Sequence, residues 1–175
     1  MDFQKLAFLG TYETDDAKIM GVIMVTDSDT KPIEFRVTSP IKPTNFQKIL
    51  YGNVLAEHIL VELIAMPLLK AISNEVDLVL VDNPAFLGAN SKQDLRLINI
   101  FSDETNADIS DNKVKLESFN SNGHSAFVST SPDICEELKP ISSALNKISA
   151  VRNLMEPFSR LKLASEQVYL KKTKE

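Results

Sequence analysis

Lys31-Pro-Ile-Glu-Phe-Arg-Val-Thr38, then Thr44 to about Ile72, then Val76-Asp-Leu-Val-Leu-Val-Asp82 read in order as strand, capped helix and strand. Ile33, Phe35 and Val37 alternate with Glu34, Arg36 and Thr38, the pattern of a half-buried strand with one wet face. Pro40 and Pro43 cannot donate to a ladder and end it. Thr44, with Gln47 three residues on, has the spacing of a capping box. From Phe46 to Ile64 apolar residues recur at helical spacing, in a stripe wide enough to predict burial on more than one side. Gly52 inside that stripe costs about 1 kcal/mol relative to Ala. That cost predicts either a close approach at Gly52 or a helix that begins after it. Pro67 should kink or end the helix near Ala65. Val76–Val81, apolar but for Asp77, suits a strand buried on both faces under helices.

Toward the N-terminus, Phe3–Thr11 and Lys18–Thr26 read as strands joined by a polar turn, and Asp27–Pro32 is a hairpin connection by composition. The N-terminal third is therefore an antiparallel meander, and strand 76–82 joins its sheet. Toward the C-terminus, Asn83-Pro84 breaks the pattern and residues 84–94 form a loop or irregular turn. Leu95–Phe101 is a fifth strand, and 102–112 is an exposed acidic loop. Lys113–Phe119 and His124–Ser129 form a hairpin around Asn120-Ser-Asn-Gly123. Ser131-Pro-Asp133 starts a helix. Ile134, Leu138, Ile141, Leu145, Ile148, Val151, Met155 and Phe158 then follow at steps of three and four, with Pro140 and Pro157 as kinks or breaks. Val168–Leu170 fits a last helical turn or a short edge strand, and 171–175 a frayed tail. The fold class expected is α/β or α+β, in one domain over residues 1–175. It has a mixed sheet of five to seven strands: the N-terminal antiparallel meander, then the strand–helix–strand crossover. C-terminal helices over 131–170 cover one face.

With 175 residues, 43% of them hydrophobic, the chain can bury a core. A formal net charge of −5 disfavours nucleic acid as a partner, while leaving room for a local basic patch. The single cysteine, Cys135, and an N-terminus without signal character point to a cytoplasmic protein. No apolar run approaches the ~20 residues of a membrane span. The sequence holds no Gly-x-Ser-x-Gly elbow, no Gly-x-x-x-x-Gly-Lys loop and no Gly-x-Gly-x-x-Gly loop, which removes the common hydrolase and phosphate-cradling sites. His58 and His124 with one cysteine do not make a zinc motif, so no metal ligands are assigned. Cys135 sits beside Glu136 and Glu137, which disfavour a thiolate, so it reads as an inert thiol.

Gly21-Val-Ile-Met-Val-Thr-Asp27, Pro32-Ile-Glu-Phe35, Thr38-Ser-Pro40, Pro43, Gln47 and Leu50-Tyr-Gly52 together resemble a pattern of uncharacterised bacterial proteins over residues 21–83, and that resemblance implies no activity. The order meander, helix, strand also looks like the start of the ribonuclease H-like fold. That likeness implies carboxylates on the first strand, the first helix and the end of the fourth strand, where they would hold divalent metal. In this sequence the helix offers Glu57 or Glu62, and the fourth strand ends in Asp82. The first strand has no acid between Phe3 and Thr11, and Asp27 lies beyond the end of the second. The same residues also read as solvated helix positions and as the start of the Asn83-Pro84 turn.

Two functions follow. The first is a cytoplasmic, non-enzymatic protein-interaction module, part of a larger assembly or a homo-oligomer, needing no cofactor. A protein partner or a second copy would dock on Ile134, Leu138, Ile141, Leu145, Ile148 and Met155. The alternative is a divalent-metal-dependent, nuclease-like enzyme of ribonuclease H-like architecture, with an incomplete carboxylate set of Glu62, Asp82 and Asp27 and Mg²⁺ as cofactor.

Overall fold

The computed structural model describes residues 1–102, 112–117 and 125–174. Among the described residues, seven strands form one mixed sheet in the order β3-β2-β1-β4-β5-β7-β6. They are β1 (Lys5–Glu13), β2 (Ile19–Asp27), β3 (Pro32–Val37), β4 (Leu78–Val81), β5 (Leu97–Ser102), β6 (Lys113–Lys115) and β7 (Ala126–Ser129). The meander is present: β1 pairs antiparallel with β2 and β2 with β3. β4 then lies parallel to β1 on its other side, and β5 lies parallel to β4. The β6–β7 hairpin closes the far edge antiparallel to β5. The expected Asn120–Gly123 turn, His124 and most of the expected acidic loop lie outside the described residues.

Helices cover both faces, so the central strands are apolar throughout. On one face Leu6, Phe8, Leu78, Leu80, Ile98 and Ile100 pack against α4 (Leu138–Ser149) and α5 (Glu156–Thr173). On the other, Ala7, Leu9, Ile23, Val79, Val81 and Leu97 pack against the crossover between β3 and β4. That crossover is one continuous run of changing pitch: α1 (Asn45–Tyr51), a 3₁₀ turn at Gly52–Val54, α2 (Leu55–His58), a π-helix over Ile59–Ala65 and α3 (Met66–Ala71). The capping box forms as the spacing predicts, with the Gln47 N–H donating to Thr44 Oγ1 and the Thr44 N–H to Gln47 Oε1. Pro67 stands at the start of α3, where a missing N–H is tolerated.

Three sequence expectations change here. The crossover is not buried on more than one side along its length. Ile59, Leu60, Val61 and Ile64 are buried, yet no residue of α1 is, and Phe46, Ile49 and Leu50 are 69%, 78% and 64% exposed. Helical spacing shows that a stripe exists, not how much of it the sheet can reach. Gly52 has no close neighbour; it is there because its φ of 51° favours a residue without Cβ. Close approach occurs instead at Gly21 of β2, where a Cβ would lie 2.3 Å from Ile64 Cγ2. Finally, Pro140 and Pro157 stand near helix starts and not inside one long helix. They sit in the first turns of α4 and α5, and the break falls between the two helices, over residues 150–155.

Asp77 and Glu34 tie the layers together. Asp77 Oδ2 accepts the Gln4 and Lys5 N–H groups at 2.7 and 2.9 Å, holding the start of β1 to the start of β4. Glu34 on β3 takes the Asn74 side chain at 2.8 Å, the backbone N–H groups of Ser73 and Asn74, and Arg36 Nε at 2.7 Å. The Asn74 side chain, the Ser73 N–H and Arg36, in that order, hold its carboxyl down to about 2. A depressed carboxyl adds stability above its ordinary value, and that stability is lost as pH falls through the folded value. Thermal unfolding followed from pH 5 to pH 2 should show a falling Tm, with a shallower slope in Glu34→Gln. Parallel slopes would mean that Glu34 does not couple β3 to the 72–75 turn.

Candidate functional site

The three parallel strands β1, β4 and β5 run toward one end of the sheet, where open α/β sheets place their ligands. Asp82 follows directly on β4 at that end. It continues the facing of Leu78 and Leu80 and so points toward the α5 layer, where Lys162 is the nearest offsetting charge. Gly10 continues the facing of Leu6 and Phe8 on β1 and lies against Asp82. A Cβ on Gly10 would meet Asp82 Oδ2 at 3.3 Å. Burial pushes the Asp82 carboxyl above its ordinary value, with Lys162 and the residue's own N–H opposing.

Beside Asp82 lies an open depression of about 460 Å³, lined by Asp82, Pro84, Asn99, Phe101, Asn112, Lys113 and Ser129. The β5–β7–β6 register builds its floor, because Asn99 pairs with Ser129 and Ser129 with Lys113. Asn99 is 5% exposed. Its Nδ2 donates to Ser129 Oγ at 3.3 Å, while its Oδ1 is buried with no hydrogen-bond partner among the described residues. Lys113 Nζ sits 5.1 Å from the ring centroids of both Phe101 and Phe127, which stack at 5.9 Å.

The structure separates the three carboxylates expected to act together. Asp27 lies opposite Lys5 at the other end of β1. That is five residues, roughly 17 Å of strand, from Gly10. Its Oδ1 is occupied by the Asp29 and Lys31 N–H groups at 2.9 Å, so it is a turn residue. Glu62 pairs with Lys92 at 2.6 Å on the crossover face. Two-metal chemistry needs acids that converge on ions about 4 Å apart. Among the described residues there is no group of three or more His, Cys, Asp or Glu placed to hold a metal. The described donors around Asp82 do not fit a Mg²⁺ pair, because the strand position facing it is Gly10. His58 stacks on Tyr51 at 4.5 Å. Sequence reasoning missed Asn99, Ser129 and Lys113, whose signals were only a polar interruption in β5, a polar end to β7 and a basic start to the short β6.

No protein-family model matches the chain, and no curated protein matches it. The resemblance of residues 21–83 to a bacterial pattern therefore gains no support. Among solved structures, endonuclease V of Ciona intestinalis in complex with a 24mer DNA containing an inosine is similar in outline, at 13% identity and a TM-score of 0.44, over 78% of this chain and 76% of that one. A second complex of that enzyme, with a 23mer DNA, gives 11% identity and a TM-score of 0.42 over the same shares. Argonaute of Marinitoga piezophila in complex with a guide RNA gives 11% and 0.36, over 77% of this chain but only 24% of that one.

The first of the two expected functions is corrected. The solved chains of similar outline are an endonuclease in complex with DNA and an Argonaute in complex with guide RNA, where a protein-interaction module that avoids nucleic acid was expected. The stripe assigned to a protein partner or a second copy is also spent within the fold. Ile134, Leu138, Ile141, Leu145 and Ile148 are buried, with Met155 packed against the same core. No helix among the described residues is long and apolar enough to cross a membrane.

A raised carboxyl binds its proton more tightly in the folded state, so it costs stability above its folded value and costs none below the ordinary one. Asp82→Asn should therefore raise Tm at pH 7 by an amount that shrinks toward pH 4, read by thermal unfolding across that range; a gain independent of pH would point to another cause. Gly10→Asp brings a second carboxylate onto the first. It should lower Tm in chelator and recover more with Mn²⁺ than the wild type does. An equal metal response in the two proteins would mean that the pair does not form a cation site.

Proposed function

We propose that this chain is a nuclease-like protein of ribonuclease H-like architecture that engages nucleic acid at the end of its parallel strands, with Asp82 as the central group of the site. The observation that carries this reading is the position of Asp82: at the carboxyl end of β4, between parallel neighbours and on the edge of an open depression with Lys113 on its rim. The succession of meander, crossover helix and fourth strand, as the ribonuclease H-like resemblance implies, supports it. The net charge of −5 is an average over the surface, and a local site for a phosphate backbone needs only local cations. Asp82, with its raised carboxyl, is the group suited to hold or pass a proton at this end of the sheet. Neither Glu62 nor Asp27 shares that place. The single free thiol of Cys135 is in keeping with a cytoplasmic location.

Fluorescence anisotropy with labelled single-stranded and duplex oligonucleotides of ~20 nucleotides tests the reading. Binding should weaken as salt rises, and Lys113→Glu should weaken it further and make the salt dependence shallower by about one phosphate contact. Absence of binding to every oligonucleotide at 50 mM salt would sink the proposal. Incubation of the same strands with Mg²⁺ or Mn²⁺ reads cleavage separately.

A further inference from the structure

We infer that α1 carries a face for the unpaired bases of a single nucleic-acid strand, formed by Phe46, Ile49 and Leu50, with Lys42 and Lys48 as the cations that draw the strand's phosphates. This rests on the reading of the chain as a nucleic-acid-engaging protein and adds the state of the strand and where its bases lie.

The argument begins with a helix that the fold does not pack. No residue of α1 is buried, and Ile49 and Phe46 are the most exposed large hydrophobic side chains among the described residues. Seven residues are too few to hold a helix in water unaided. The chain nevertheless closes this one at both ends: Thr44 and Gln47 form the capping box, and the Gly52 N–H donates to the Lys48 carbonyl. A local structure secured by caps and left without packing is built to meet something outside the fold. Phe46, Ile49 and Leu50 stand three and four residues apart and so share one side of it. They form an apolar patch of roughly a few hundred Å², a size that marks an interaction site.

Topology sets that patch at the end of the sheet where Asp82 stands. Val37, the last residue of β3, pairs with Val22. Ile41 then bridges Ile19, which lies opposite Glu13 at the carboxyl end of β1. β4 runs parallel to β1, so Asp82 follows β4 at this same end.

Charge names the partner. From Phe35 to Ala56 the chain holds Arg36, Lys42 and Lys48 and no acid, although the formal net charge of the whole is −5. Arg36 is paired with Glu34, while Lys42 and Lys48 have no ion pair among the described residues. Lys42 precedes the helix. Lys48 lies on the side of the helix away from the patch, but a helix is only about 10 Å across. Its charge therefore acts within about a Debye length of a strand laid on the patch. Apolar surface with cations and no acid around it suits a nucleic-acid strand, which offers base faces and a phosphate at every step. In a duplex those faces are hidden in the stack, so the patch fits an unpaired strand.

Fluorescence anisotropy of the full chain tests this with an unstructured single-stranded 12-mer, the same strand made abasic, and a 12-base-pair duplex. The wild type should bind the 12-mer at least tenfold tighter than either of the others; equal or tighter binding of the abasic strand or the duplex overturns the inference. The triple variant Phe46→Gln, Ile49→Gln, Leu50→Gln removes no buried side chain, so its Tm should match the wild type. Its affinity for the 12-mer should fall at least tenfold while its affinity for the abasic strand stays the same. If the triple variant does not fold, Phe46→Ala serves, with binding at least threefold weaker expected and unchanged binding overturning the inference. Lys42→Gln with Lys48→Gln should make the salt dependence shallower by about two phosphate contacts; an unchanged slope overturns the role given to the lysines. A 12-mer bound equally by wild type and triple variant overturns the face and leaves the wider reading standing. Light scattering then reads the other occupant, since a wild-type dimer that the triple variant splits assigns the patch to a second copy. No binding of any strand removes both readings.

Discussion

The structure depends on the pairing of β1 with β4. Leu6 to Leu9 lie beside Leu78 to Val81, all of them 0–1% exposed, so this parallel pair is walled on both faces. A strand buried on both sides cannot be stable until both helical layers are in place. The crossover closes one face and α4 with α5 the other. Phe8 shows the dependence in one contact: its ring meets Phe158 of α5 edge-on at 5.6 Å, bridging the middle of the sheet to a helix 150 residues away. Gly21 of β2 shows it on the opposite face, where any side chain at that position would collide with Ile64 of the π-helical turn. The two layers position the end of β4, and therefore Asp82.

The acids of the chain divide by what surrounds them. Asp77, Glu34 and Asp27 accept backbone N–H groups, and each ties one junction: the start of β4 to the start of β1, β3 to the turn at Ser73 and Asn74, and the turn from β2 to β3. Glu62 is committed to Lys92 on the surface. Asp82 differs from all of these. Among the described residues its facing neighbour on β1 is a glycine, its one offsetting charge is Lys162, and it lines an open depression. The carboxylates were visible in the sequence as a set. Their separation was not, because the spacing of residues along strands says nothing about which end of the sheet each strand brings to its neighbour.

Much of the fold was legible for a simple reason. Period-two alternation in 33–38, the unbroken apolar run at 76–81 and the capping box at Thr44 are local signals, and each element formed, although the expected facing of β3 did not: Ile33 and Phe35 are exposed and Glu34 is half-buried. That β4 joins the sheet of the meander followed from the same reasoning, since a strand without a wet face has to lie inside a sheet; its place beside β1 came only with the structure. What could not be read was extent. The stripe from Phe46 to Ile64 has one periodicity, yet its first half is exposed and its second half is core. The stripe from Ile134 to Phe158 looked like surplus apolar surface, yet two helices and the break between them fold all of it but Val151 onto the core. Periodicity fixes the facing of a residue; the area available to cover it is a property of the whole sheet.

The candidate site was the least legible part, and the physical reason lies in Asn99. Along β5 the sequence Leu97-Ile-Asn-Ile-Phe101 reads as a strand with one polar interruption, which in most sheets would be a solvent-facing position. Here that position is buried, because β7 lies against β5 and brings Ser129 opposite. The amide therefore stands where an apolar residue would cost less. Natural sequences tolerate such local disagreement between residue and environment mainly where function requires it. On that argument the informative residue is not the most acidic or the most basic one near the strand ends, but the one whose burial its own chemistry does not explain.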